Sequence, residues 1–161
     1  MRNMLTRKIK CGAFWSKIPG YNERALCPFC KKRWNIETIE TETHLWLECE
    51  NSGQAQAWKM TQEIWCQSTD RTWPDMNLGL IRGAAALSFE KDMKKDSERL
   101  KILISMTIWA IWKLKLKISM EDEDVTPNET MQLLRELIME LITKSWNTTH
   151  FLEEGQKVTR Q

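Results

Sequence analysis

The sequence has no apolar run long enough to cross a bilayer. The longest, ILISMTIWAIW over Ile102–Trp112, falls well short of the roughly 20 residues a spanning helix needs. The start, MRNMLTRKIKCGAFWSKIPG, is positively charged but lacks the apolar stretch of a secretory signal. No repeat or low-complexity tract appears. These absences point to an intracellular chain, in nucleus or cytoplasm, with no membrane partner. In that reducing setting an odd number of cysteines, five, argues against a disulfide framework and for a metal site or free thiols. Histidine is scarce, with two residues. His150 has no nucleophile or carboxylate at a catalytic spacing, so the sequence suggests no enzyme. At 161 residues the chain suits one domain, or one domain with a small metal-held module.

What is present is unevenly placed. The formal net charge is only +2. Up to Asn35, however, nine basic residues (Arg2, Arg7, Lys8, Lys10, Lys17, Arg24, Lys31, Lys32 and Arg33) stand against Glu23 alone, a net of +8. Such an end suits a polyanion, RNA or single-stranded DNA. It also suits a solvated face balanced by Glu37, Glu40, Glu42, Glu48 and Glu50. Nine tryptophans are enough to anchor a core or to present flat surfaces to bases or partner chains.

Periodicity gives a mainly α fold. Residues 3–18 carry a weak helical pattern (Leu5, Ile9, Phe14, Ile18) that Pro19-Gly20 stops. A helix is expected from about Ser52 to Gln67, with Trp65 and the neighbouring Cys66 in the core. An irregular stretch over 68–87 contains one helical turn at LGLIRG. From Ser88 to about Met120, Leu100, Leu103, Ile104, Ile108, Ile111 and Trp112 recur at helical spacing. After the acidic break MEDEDV, Thr126-Pro127-Asn128-Glu129 reads as a capping box with proline at the first helical position. Met131, Leu134, Leu137, Ile138, Leu141, Ile142 and Trp146 follow at three-four spacing. Two long amphipathic helices with a short link should pack as an antiparallel hairpin. The expected organisation is a basic segment with a metal knuckle over 1–51, a helical domain over 52–152, and a polar tail over 153–161.

The chemistry concentrates in residues 27–49. Cys27, Cys30, His44 and Cys49 form the pattern C-x2-C-x13-H-x4-C. A C-x2-C turn aims two thiolates at one ion, and H-x4-C at finger distance supplies the other two ligands. Three thiolates and an imidazole close a tetrahedron, which suits structural zinc and leaves no open position for catalysis. One feature is awkward. On an ideal helix at ~100° per residue, five steps turn about 500°, leaving His44 and Cys49 about 140° apart. A helix here must end or bend before Cys49. The competing reading is ordinary buried cysteines beside an unrelated histidine. Cys11 and Cys66 are spare.

The segment CPFC…ETETHLWLEC resembles the zinc-binding region near the C-terminus of fungal non-LTR retrotransposon reverse transcriptases, where a C-x2-C pair precedes E-T-x-x-H-x4-C. LTRKIKCGAFWSKIPGY resembles the lead-in of that region, and ISMTIWAIWKLKLK and LLRELIMELITKSWN resemble its tryptophan-rich helical tail. The resemblance implies Cys27, Cys30, His44 and Cys49 as zinc ligands and nothing catalytic. Three functions compete. A zinc-held nucleic-acid module would use the basic residues from Arg7, Lys8, Lys10, Lys17 and Arg24 to Lys31, Lys32 and Arg33 on phosphates, and Trp34 on a base. A protein-interaction or scaffold module would bury Trp34 and Trp46 against the hairpin. A metal-dependent nuclease would need Pro74-Asp75 and Asp92-Met93-Lys94 to act as a P-D…D-x-K set carried on adjacent strands.

Overall fold

The computed structural model describes residues 10–87, 94–121, 123 and 126–140. The described part opens with two short 3-10 turns, Gly12–Lys17 and Asn22–Ala25. Helix α1 spans Pro28–Trp34, with proline in its first turn, where a missing N–H costs nothing. Asn35 ends it in the left-handed conformation (φ 53°), which asparagine tolerates. The strand-like segments on either side meet at an antiparallel bridge between Leu26 and Ile39. Two hydrogen bonds flank it, Cys27 N–H to the Thr38 carbonyl (2.7 Å) and Glu40 N–H to the Ala25 carbonyl (2.8 Å). The bridge returns the chain to the level of the first cysteine before the turn carrying His44.

Four further helices follow: α2 (Gln54–Ser68), α3 (Leu78–Gly83), α4 (Lys94–Met120) and α5 (residues 127–140). Among the described residues no β-strand forms. Helix α4 is the strut, and its faces serve three clusters. Leu100, Leu103, Ile104, Ile108 and Ile111 meet Trp58 and Trp65 of α2 and Ile81 of α3. Ala110 meets Ala57 of α2 and Leu134 and Ile138 of α5. Leu114 and Ile118, one and two turns further on, meet Phe29 and the cysteines of the knuckle. Small residues at Ala57 and Ala110 let α5 approach both helices closely. Two buried hydroxyls pair across this core: those of Thr61 and Thr107 lie 2.6 Å apart between α2 and α4.

Thr126 and Glu129 form half of the expected capping box: the Thr126 N–H donates to the Glu129 carboxylate at 2.6 Å, but the Glu129 N–H bonds to the Thr126 carbonyl (3.1 Å) and not to its hydroxyl. The start of α5 then docks on the start of α2, where the Thr130 hydroxyl donates to the Ser52 carbonyl. The antiparallel α4–α5 pair is therefore present, with α2 as a third member. Leu141, Ile142, Trp146, His150 and the tail lie outside the described residues.

Two expectations need correction. Over 10–18 the chain forms a 3-10 turn starting at Gly12, and Phe14 is exposed. Gly12 sets this conformation: its φ is +50°, and it lies so close to the Glu40 carbonyl that no Cβ fits. Leu5 and Ile9 lie outside the described residues. Cys66 is exposed and Trp65 buried, because one helical step of ~100° carries Cys66 off the core face.

Gly53 (φ +73°) faces the Pro127 carbonyl, and a Cβ there would lie 2.5 Å from its oxygen. Gly53→Ala should cost more than the ~1–2 kcal/mol of left-handed strain alone, because it also pushes α5 off α2. Gly20→Ala has similar φ (+81°) but open space and should cost the strain only. Urea denaturation of the two variants makes the comparison.

Candidate metal centre

Cys27 ends the first extended segment immediately before α1, and Cys30 lies in the first turn of α1. Cys49 follows the turn His44–Glu48. That turn resolves the spacing problem at H-x4-C. It opens as a helical turn capped by Thr41, whose hydroxyl accepts from the His44 N–H at 3.0 Å. It then widens to a π-type turn, with the Cys49 N–H bonded to the His44 carbonyl at 2.8 Å. An i→i+5 turn brings position 49 back over position 44, which an α-helix does not do. Side chains of α2 hold the widened carbonyls: Trp58 Nε1–H donates to Trp46 O (2.7 Å) and Gln54 Nε2–H to Leu47 O (3.0 Å).

The four ligand atoms lie within 4.8 Å of one another. Zn–S bonds of ~2.3 Å at the tetrahedral angle place two sulfurs about 3.8 Å apart, and a sulfur and an imidazole nitrogen about 3.6 Å apart. The observed separations are 3.7 Å for Cys27 Sγ to Cys49 Sγ, 3.8 Å for Cys30 Sγ to Cys49 Sγ, and 3.4 Å for Cys30 Sγ to His44 Nε2. All are far from the ~2.05 Å of a disulfide. Cys27, Cys30, His44 and Cys49 can therefore hold a metal ion, and these three edges are consistent with zinc. The surroundings suit thiolates. The Cys30 N–H points at Cys27 and the Asn51 N–H at Cys49, and Asn51 Nδ2–H reaches Cys30 Sγ at 3.5 Å. The close contact with the Cys27 sulfur, with His44 beside it, lowers the Cys49 pKa. That of Cys27 rises through the same contact and through burial.

Beside the centre lies a buried ion pair. Glu40, 0% exposed, accepts from Lys115 Nζ of α4, itself buried. Burial pushes the Glu40 carboxyl up, and the lysine pulls it back down. The lysine also lies 4.6 Å above the Trp112 ring. The second carboxylate oxygen, Oε1, has no hydrogen-bond partner among the described residues.

No protein-family model, curated protein or solved structure matches the chain. The site stands on its geometry alone.

The basic residues of the knuckle segment are exposed or half-buried: Lys10, Lys17, Arg24 and Lys32 are exposed, and Lys31 and Arg33 half-buried. Arg24 is held in place, its guanidinium 5.5 Å from the Trp15 ring and 5.0 Å from the Tyr21 ring. Lys31 is 3.5 Å from the mostly exposed Glu23. Arg7 and Lys8 lie outside the described residues. The two tryptophans that separate the functional readings diverge: Trp46 is buried in the core, while Trp34 is 64% exposed. The edge of the Trp34 indole is tied down, since its Nε1–H donates to Asn51, the residue that also contacts Cys30. The acidic stretch is partly spent internally, Glu40 on Lys115 and Glu42 on Arg82 (2.8 Å). Of the nuclease set, Asp75 is exposed and Lys94 opens α4, while Asp92 and Met93 lie outside the described residues. The groove between α1 and α4, with Trp112 and Lys115 from the C-terminal half of the chain, gave no signal in the sequence. Its walls are distant along the chain.

Replacing Lys115 with Met strands a buried carboxylate, which should cost about 3–5 kcal/mol in chemical denaturation. Cobalt-loaded protein should give the intense visible bands of a tetrahedral thiolate site, weakened in Cys49→Ser. A chelator should loosen the knuckle while the far-UV helical signal of α2, α4 and α5 largely persists. Residual cobalt bands after all three cysteines are replaced would contradict the assignment.

Proposed function

We propose that the chain is a structural-zinc module that binds nucleic acid with low sequence specificity. The observation that carries this reading is Trp34. This large aromatic lies on the knuckle's surface, held by its edge with its face open beside three cations. Lys31, Lys32 and Arg33 precede it on the same short helix. Cations take phosphates and an aromatic face takes any base, so affinity depends on salt and little on sequence. The preferred target is RNA or single-stranded DNA, whose bases are open to stacking.

Zinc in this reading supplies folding energy and no chemistry. Four protein ligands leave the ion no open position, and the knuckle's own apolar residues are too few to fold without it. The reading assigns the chain no catalytic step. No described helix is long and apolar enough to cross a membrane, and a reducing intracellular setting suits free thiolate ligands. The motif CPFC…ETETHLWLEC supports origin as a C-terminal piece of a retrotransposon reverse transcriptase, on the resemblance alone. A protein-interaction role is the second reading, favoured by Ile36 and Ile39, which are exposed shortly after Trp34 in the chain.

The test is anisotropy of labelled single-stranded RNA with zinc-loaded protein across a salt series. Binding should weaken steeply with salt, and Trp34→Ala should cost about 1–3 kcal/mol. No binding at low salt would overturn the nucleic-acid reading.

A further inference from the structure

A groove of about 970 Å3 runs along the knuckle on the side of α1 facing α4. That is the upper end of the ~300–1,000 Å3 of small-ligand clefts. One wall is a face of α1, with Pro28, Lys31 and Lys32 at neighbouring helical positions. The opposite wall is the last turns of α4, with Trp112, Ser119 and Met120. The N-terminal turns add Lys10, Trp15 and Arg24 at the rim.

Charge is segregated between the walls. Four cations (Lys10, Arg24, Lys31 and Lys32) lie at the rim and along α1. The one carboxylate in the lining, Glu23, is exposed and pairs with Lys31 at 3.5 Å. The α4 wall is apolar apart from Ser119 and Lys115, and Lys115 is committed to Glu40. A polyanion with exposed flat groups matches both walls at once. A duplex does not, because its bases are already stacked and paired inside.

We propose that this groove is the track of a single-stranded nucleic acid, with phosphates along Lys10, Arg24, Lys31 and Lys32 and bases against the α4 wall. The proposal rests on the nucleic-acid reading and adds to it a site that Trp34 and Arg33 do not line. It also makes the track depend on the metal. The cysteine pair fixes α1, and the same cluster packs on Leu114 and Ile118, so the metal centre sets the spacing between the walls.

The experiment uses the full zinc-loaded chain, a labelled 12-nucleotide oligouridylate, and an RNA duplex of equal length. Ser119→Glu places a negative charge on the α4 wall, far in sequence from the basic segment. It should weaken single-strand binding about ten-fold or more, while Ser119→Gln should not. Met120→Glu, at a residue 78% exposed, should act in the same way if Ser119→Glu disturbs folding. Arg24→Gln with Lys31→Gln should reduce the slope of log K against log salt by about 1.4, at ~0.7 per phosphate contact on a single strand. Binding that responds to Trp34→Ala but not to these groove variants would overturn the track and leave the broader reading standing. Equal affinity for the duplex would also overturn it. Failure of the unsubstituted chain to bind either RNA would overturn both.

Discussion

Four ligand atoms closing on one point hold the first third of this chain together. Without that closure, residues 10–51 are two 3-10 turns, a seven-residue helix, a single bridge and a π-type turn. None of these is stable alone, because short helices are marginal in water and one bridge is not a sheet. With the closure, the Cys27–Cys30 turn is pinned to Cys49 and His44. The whole unit then presents Phe29 and the cysteine side chains to Leu114 and Ile118 of α4.

Helix α4 carries that order through the rest of the molecule. One end of its apolar stripe builds the core with α2 and α3, its middle seats α5, and its C-terminal turns meet the knuckle. The Glu40–Lys115 pair stitches the last junction electrostatically. Glu40 lies four residues before His44, so the ion pair fixes the approach to the histidine turn. A buried pair of this kind is weak evidence for extra stability, since desolvation offsets much of the attraction. Its clearer effect is on specificity: only one register of α4 brings Lys115 to Glu40.

Much of this was legible in the sequence where the signal is local or periodic. The stripe Leu100 to Ile111 gave α4, Thr126-Pro127 gave the start of α5, and C-x2-C with H-x4-C gave the ligand set. The misses are equally local in cause. Residues 12–17 became a 3-10 turn because Gly12 must approach the Glu40 backbone, a tertiary demand with no periodicity. Cys66 was misplaced because adjacency to Trp65 says nothing of helical rotation. The π-type turn was visible only as an angular conflict between His44 and Cys49. Its resolution depends on Trp58 and Gln54 of α2, which donate hydrogen bonds to the turn's carbonyls. The α1–α4 groove, built from residues some 80–90 positions apart, leaves no mark that a linear reading detects.

The proposed function rests on what the candidate metal centre positions. Asn51 touches Cys30 and the edge of Trp34, so the exposed indole is oriented by the same cluster that orients α1. X-ray absorption at the zinc edge of the purified chain tests this centre most directly. The structure predicts one zinc per chain with three sulfurs at about 2.3 Å and one nitrogen at about 2.0–2.1 Å. A shell dominated by oxygen and nitrogen, or a folded chain that retains no zinc, would contradict it.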